Sequence, residues 1–516
     1  MDKTRATYHF QPEKNWMNDP NGPAVLEGKL HMFYQYNPFG ASWGNMTWGH
    51  AVAENLVRWK RLEPALRPDA PYDKDGVFSG CCVVKEGIPH LLYTGVQPEV
   101  QCLAIGDAHG EHFQKYEGNP IIERLPGETL TGFRDPFAWE EDGKTYVVIG
   151  SGEPNKRGFA FVYRSEDLKT WERVGELCSK DDPQEDMWEC PNFLRFPDGQ
   201  ALLLVSLMKA QGVFAMEGAY EDHRLHAGPM RPFDLGDSFY APNTVRLADG
   251  RAILFGWMKE TVPGREKAGW QGMLTLPREI VQHGDGGAGA RPAAEVESLR
   301  GEKQIEKRNF TLRSGENPLK GLHSRCCEVL IEFEAGSSGQ LHLELCKSPR
   351  GEEKAEVLYD GTADALYADT GRCGGRGRTG GYVQGRGRTR LRAFLDGSAL
   401  EVYLNDRETL TTRLYPERED ADGLRLDEVV SLVGLVGAGK SVLANMLIVC
   451  LAKRGLRAAS LLNSVSDVME SVVLLREAGI SASPLVSRGR RIERLDEFFD
   501  HDDSMLLDHS ASKYLE

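Results

Sequence analysis

The chain has 516 residues, 41% of them hydrophobic, which is too long for one ordinary domain and supplies apolar material for two or more packed cores. With 62 Lys and Arg against 77 Asp and Glu, the net charge of -15 argues against nucleic acid or an anionic membrane as partner and suits a small neutral substrate. Ten cysteines, none in a CxxC pair, argue against a structural zinc site and read as mostly buried thiols.

The first sixteen residues, MDKTRATYHFQPEKNW, contain no apolar signal core, so a cytoplasmic location is expected. Five segments then follow in which a glycine turn opens a short apolar strand, at Gly28, Gly87, Gly143, Gly199 and Gly250, spaced 59, 56, 56 and 51 residues apart. Trp59 and Trp171 lie two repeats apart in the same register, with His112 and Phe113 in the intervening place. Repeats of about 50 residues built from short strands and polar turns suit radial four-stranded blades, so the spacing predicts a five-bladed β-propeller.

The segment before each repeat glycine should be the innermost strand of its blade. Asp19, Ser79, Asp135, Glu189 and Asn243 fall there, seven to ten residues before their glycines. Three carboxylates therefore converge on one axial cavity. Each lies in a proline-punctuated setting, WMNDPNG, FRDP or WECPNF, and proline holds the residue before it extended. Glycosidic cleavage needs one carboxylate at the anomeric carbon and one protonated carboxyl at the leaving oxygen, and Asp19 and Glu189 suit those roles. Crowding of like charges raises the pKa of one acid in such a cluster, with Glu189 the better candidate. Asn18, Gln35, Trp43, Phe78, Ser79, Arg134 and Trp257 fall near the expected cavity mouth, where they offer hydroxyl-binding groups and flat apolar surfaces for a sugar.

The ordered motifs WMNDPNG, QYNPFGASWGNMTWGH, FSG, FRDP and WECP closely resemble glycoside hydrolase family 32, the β-fructofuranosidases, inulinases and levanases. APNT, FGWM and GWQGMLTLPRE continue the likeness, which spans roughly residues 7 to 416. The resemblance implies a propeller followed by a β-sandwich, and hydrolysis of sucrose or related fructosides with retention. By motif match it makes Asp19 the nucleophile, Glu189 the acid/base and Asp135 a binder of fructose hydroxyls. No metal or cofactor is implied. A fructosyltransferase using the same site, or a carbohydrate-binding protein without activity fused to an NTP-binding fragment, are the alternatives. The sequence leaves the preferred fructoside and the oligomeric state open.

The Gly/Ala-rich stretch 282 to 300 reads as a boundary, giving a catalytic propeller over residues 1 to 285. Alternating stretches at 328 to 335, 340 to 346 and 391 to 406 read as the antiparallel strands of a sandwich over 300 to 428. Between them the Gly/Arg-rich segment 371 to 390 reads as a flexible loop. After Pro416 the likeness stops, and the sandwich is expected to lack its closing strand. The apolar stretch from Val429 to Leu451 is broken by glycines and Lys440, so no membrane span is expected. It carries instead a P-loop pattern, with Gly434, Gly439, Lys440 and Ser441 as possible phosphate-binding residues of an α/β fragment over 429 to 516.

Overall fold

The computed structural model describes residues 2–309, 311–312, 316–335, 339–384 and 387–430, and three short strands at Ser460–Leu461, Ala482–Pro484 and Ser504–Leu507. The fold is all-β, a β-propeller followed by a β-sandwich. The inner strands of blades 1 to 5 are Asn15–Leu26, Gly76–Lys85, Phe133–Glu141, Trp188–Arg195 and Phe239–Arg246. Each packs against the next, and the fifth returns to the first. Within a blade, successive strands pair antiparallel from the axis outward. The ring closes where Trp270–Gln271, in the last blade's excursion, pairs in parallel with Asn15 and Trp16 of blade 1.

All five repeat glycines lead into the second strand of a blade with positive φ, 78, 78, 73, 85 and 91° in chain order. A Cβ at any of them would meet nothing within 4 Å, so backbone conformation rather than space selects glycine there. The outer strands of blades 1 to 3 begin at Trp59, Phe113 and Glu172, as the tryptophan register suggests. Apolar side chains fill the wedges between blades; Cys81 and Leu92 of blade 2, Phe137 and Val148 of blade 3, and Trp188 and Leu203 of blade 4 form one continuous buried cluster. Full burial of each large side chain contributes about 1.5–3 kcal/mol.

The second unit consists of a four-stranded sheet (Cys326–Ala335, Gly387–Asp396, Ala399–Leu404, Glu408–Arg413) and a five-stranded one (Arg378–Tyr382, Ala365–Asp369, Ala355–Asp360, Gly339–Lys347, Gly423–Val430). Their facing apolar residues, among them Leu343, Val357, Leu391 and Val402, share one core. A buried polar cluster ties this unit to the propeller. Arg278 of blade 5 donates to Asp234 Oδ2 at 2.8 Å and to Glu401 Oε2 at 2.6 Å. His9, ahead of blade 1, sits 2.9 Å from both Asp396 Oδ2 and Glu401 Oε1.

Three expectations need correction. The outer strand of blade 5, Ala288–Pro292, lies inside the stretch read as a boundary: its small residues Ala288 and Ala290 pack into the blade core, and Gly289, also buried, lies so close to Arg407 that a Cβ there would come within 2.5 Å of the Arg407 backbone. The closing strand of the sandwich is present: Gly423–Val430 pairs along Gly339–Lys347, and its Leu424 and Leu426 enter the core. The charged run after Pro416 had masked that alternation. The Gly/Arg segment is not one loop, since Arg378–Tyr382 is an edge strand; at Gly380 a Cβ would lie 2.2 Å from Leu366 O, so glycine permits the pairing. The cysteines, by contrast, are mostly buried thiols as expected: among the nine described, all free, five are buried, three are half-buried and Cys326 is exposed.

Gly434, Gly439, Lys440 and Ser441 lie outside the described residues. The three short strands after residue 459 pair in parallel, unlike the antiparallel blades and sandwich. Among the described residues no helix is long and apolar enough to cross a membrane.

Candidate active site

The inner strands do not run straight past the axis. Each carries a bulge at its top, where pairing with the second strand skips: Asn18 and Asp19 in blade 1, Ser79 in blade 2, Asp135 and Pro136 in blade 3, Cys190 and Pro191 in blade 4, Ala241 and Pro242 in blade 5. Asp135, Cys190 and Ala241 occupy the same place in successive blades and share positive φ, 67, 46 and 45°. A bulge re-aims side chains that a regular strand would alternate across the sheet, and here it turns them into one cavity. Proline suits the following position because the extra residues make no ladder bond.

Asp19 stands at the centre. Ser79 Oγ donates to its Oδ2 at 2.6 Å and Asn18 Nδ2 to its Oδ1 at 2.9 Å, and Trp16 Nε1 fixes Asn18 from behind at 2.7 Å. Asp135 is buried, with Oδ2 accepting the Cys190 backbone N–H at 3.0 Å, while its own N–H donates to Thr94 Oγ1 at 3.0 Å. The Cys190 thiol lies between the two aspartates, 3.6 Å from Asp19 Oδ2 and 3.5 Å from Asp135 Oδ2. Burial raises the pKa of both aspartates. For Asp19 the hydrogen bonds from Ser79 and Asn18 oppose that rise and the charge of Glu189 adds to it. For Asp135 the Arg134 guanidinium opposes it, while Glu189 and Asp19 push it further. Like charges out of bulk water account for both.

Glu189 sits one step before its bulge, and so do Arg134 in blade 3 and Tyr240 in blade 5. Equivalent places in adjacent blades are neighbours, and the three bond in a row. Arg134 Nη2 and Nε reach Glu189 Oε1 at 2.6 and 3.0 Å, and Tyr240 OH reaches Oε2 at 2.7 Å. Arg134 is held from its other side by Glu99 Oε1 at 2.9 Å. Both oxygens of Glu189 are therefore oriented, with the side chain still partly open to the cavity.

The other expected residues divide. Gln35 lies opposite the Asn18–Asp19 bulge, deeply buried, with Nε2 on Val77 O at 3.0 Å and Oε1 without a protein partner among the described residues. Trp257 packs edge-on against Trp16 and Tyr240, its Nε1 likewise unpartnered among the described residues. Trp43 and Phe78 form an edge-to-face pair with ring centroids 5.9 Å apart; Trp43 is 59% exposed, a flat apolar surface rather than part of the acid cluster. Asn243 is not brought to the cavity: one step past the bulge, its Nδ2 donates to Gly80 O at 2.9 Å and ties blade 5 to blade 2. Sequence reasoning had aligned the blades on glycine spacing, which misplaced blade 5. It also missed Tyr240, Cys190, Thr94 and Glu99. Aligning on the prolines would have found Tyr240, since Tyr240-Ala241-Pro242 matches Glu189-Cys190-Pro191.

Two family descriptions match this chain, the glycosyl hydrolases family 32 N-terminal domain over residues 9–288 and the glycosyl hydrolases family 32 C terminal over 295–434. A sucrose-6-phosphate hydrolase of Zymomonas mobilis subsp. mobilis is 32% identical over 461 residues, covering 81% of this chain and 88% of that protein. A raffinose invertase of Escherichia coli is 33% identical over 453 residues, covering 80% and 90%. Among solved structures, fructan 1-exohydrolase IIa from Cichorium intybus superimposes with a TM-score of 0.74 at 26% identity, over 83% of this chain and 96% of that one. The matches span both units, and the acid cluster sits on the inner strands of the matched propeller. The chain is a glycosidase and belongs to glycosyl hydrolase family 32.

Proposed function

We propose that the protein hydrolyses terminal β-D-fructofuranosides, such as sucrose, through a covalent fructosyl-enzyme. The observation that carries the reading is the convergence of Asp19, Asp135 and Glu189 from three bulged inner strands, the two aspartates bridged by the Cys190 thiol and Glu189 held beside them by Arg134, whose Nε lies 4.0 Å from Asp135 Oδ2. Asp19 attacks the fructose anomeric carbon as Glu189 gives its proton to the leaving oxygen. Glu189 then takes a proton from water, whose oxygen displaces Asp19 and releases fructose with retained configuration. Asp135 binds fructose hydroxyls, and the unpartnered Gln35 Oε1 and Trp257 Nε1 accept from and donate to others. Buried polar atoms without partners cost about 1–3 kcal/mol each, which a bound sugar would offset.

Incubation with sucrose tests the reading. Equimolar glucose and fructose are expected; a large deficit of free fructose would instead assign the same intermediate to transfer onto another sugar. Raffinose and sucrose 6-phosphate, named by the relatives' activities, extend the panel.

The pH profile follows from Asp19. As nucleophile it must be ionised, and its pKa is raised, so the acid limb of kcat/KM lies above the ordinary aspartate range and activity falls as pH drops through it. Ser79→Ala removes a hydrogen bond that favours the charged form, so its limb should move to still higher pH. An unmoved limb in that variant would show that Asp19 does not govern it.

A separate reading concerns the C-terminal segment. We propose that its P-loop pattern binds nucleotide phosphate; the glycine-rich spacing and the parallel pairing of the three short strands support this. Nucleotide binding by the whole chain should then be lost in Lys440→Ala, and equal binding by both proteins would remove the reading.

A further inference from the structure

Met208 directly follows the second strand of blade 4, Gln200–Leu207, on the turn leading into the third, and it is 44% exposed. Its Sδ lies 3.3 Å from Arg134 Nη2, the same nitrogen that donates to Glu189 Oε1 at 2.6 Å. The other methionines of the propeller are buried, apart from the half-buried Met230. The methionine sulfur best placed to meet solvent is therefore in contact with the cation that orients Glu189.

Neither partner in that contact has room to draw back. The turn is anchored by Glu185, whose Oε2 and Oε1 accept the backbone N–H groups of Lys209 and Ala210 at 3.2 and 2.5 Å, and by Gln211, whose side-chain amide donates to the Met208 carbonyl. Arg134 is confined between Glu99 Oε1 and Glu189, with Gly132 so close that a Cβ there would lie 2.4 Å from Nη1. A thioether is a weak acceptor and leaves this arrangement undisturbed. A sulfoxide is strongly polar, with an oxygen that accepts well and a positively polarised sulfur. Facing Arg134, that oxygen takes Nη2 as a donor; facing solvent, it leaves the positive sulfur against the guanidinium. In both cases the hold of Arg134 on Glu189 weakens.

Resting on the fructosidase reading, we infer that Met208 is an oxidative modification site through which a peroxide lowers catalysis, acting as a positioning residue by way of Arg134. A sulfur lone pair attacks one peroxide oxygen, the O–O bond breaks and an S–O bond forms. The proton of the transferred oxygen passes to the departing hydroxide, which leaves as water; sulfur is oxidised and the peroxide reduced. The other sulfurs nearby are shielded. Met187 is 2% exposed, and Cys190 is buried, with that burial and the charge of Asp135 holding its thiol pKa well above the ordinary value, so it stays protonated and slow toward peroxide.

The test treats the full chain with hydrogen peroxide, removes the excess with catalase, and follows turnover of sucrose and of an aryl fructoside. Oxygen addition should map to Met208 by peptide mass spectrometry, and kcat on sucrose should fall roughly tenfold or more, the factor carried by weakening one hydrogen bond between charged groups. The fall on the aryl fructoside should be smaller, because its leaving group needs no proton from Glu189. Methionine sulfoxide reductases acting on both epimers should restore the rate. Met208→Leu should keep its own untreated rate after peroxide, and Met208→Gln, whose amide oxygen stands in for the sulfoxide oxygen, should show the loss untreated. Equal inactivation of Met208→Leu, recovery with a thiol reductant alone, or an equal loss on both substrates would overturn the inference. An untreated chain that cleaves neither substrate would instead defeat the fructosidase reading, while the mass map would still report whether Met208 is oxidised.

Discussion

Asp19→Asn should lower kcat/KM for sucrose by about 10⁴-fold or more, since it removes the attacking oxygen of the first step while the remaining site retains only its binding and orientation. The fold should survive. Asparagine is isosteric with aspartate, Ser79 can still donate to its amide oxygen, and burial that raises the Asp19 pKa disfavours the charge being removed. Thermal unfolding of the variant should therefore match the wild type. Glu189→Gln supplies the complementary measurement: its loss should be large on sucrose and much smaller on a fructoside whose leaving group departs without a proton, such as an aryl fructoside. Substantial activity in Asp19→Asn, or an equal loss on both leaving groups in Glu189→Gln, would displace the assigned roles.

The second large effect concerns stability. Arg278→Met should destabilise the protein by about 3–5 kcal/mol, because it strands Asp234 and Glu401 as buried carboxylates with His9 as their remaining cation nearby. The fall in Tm should be several degrees, with the sandwich and propeller no longer unfolding together in calorimetry. The same cluster gives a pH window. His9 is fully buried, which lowers its pKa, but its bonds to Asp396 and Glu401 prevail and raise it to about 9 against 6.5 for the free side chain. A folded-state pKa raised in this way contributes stability that is fully present below about pH 6.5 and is lost as pH rises through about 9. In His9→Gln that alkaline slope should flatten. If the slope persists, another group produces it.

Much of this architecture was legible because it rests on local chemistry repeated at a fixed interval. A two-residue turn that needs positive φ demands glycine each time, so five glycines announce five blades. Acids followed by proline announce bulges, because the residue after the acid makes no ladder bond. What escaped depends on position in space and leaves no unusual residue type behind. Tyr240 reads as an ordinary strand tyrosine until the neighbouring blade places Glu189 within 2.7 Å of it. Glu99 lies in a loop of blade 2 and matters only because Arg134 reaches across to it. In the strand Gly423–Val430 the core residues Leu424 and Leu426 alternate with Arg425 and Asp427, too short an alternation to separate from the charged turn before it.

The seam of the ring has a consequence for how the enzyme fails. Its clasp is two residues long, Asn15 and Trp16 against Trp270 and Gln271, supplemented by Asn15 N–H to Gly269 O at 2.7 Å. The nucleophile is three residues downstream of that clasp, and Trp16 orients Asn18, which orients Asp19. Any widening between the first and last blades thus reaches the attacking carboxylate before it disturbs the interior of a blade, and heat should silence the enzyme while its sheets are still intact.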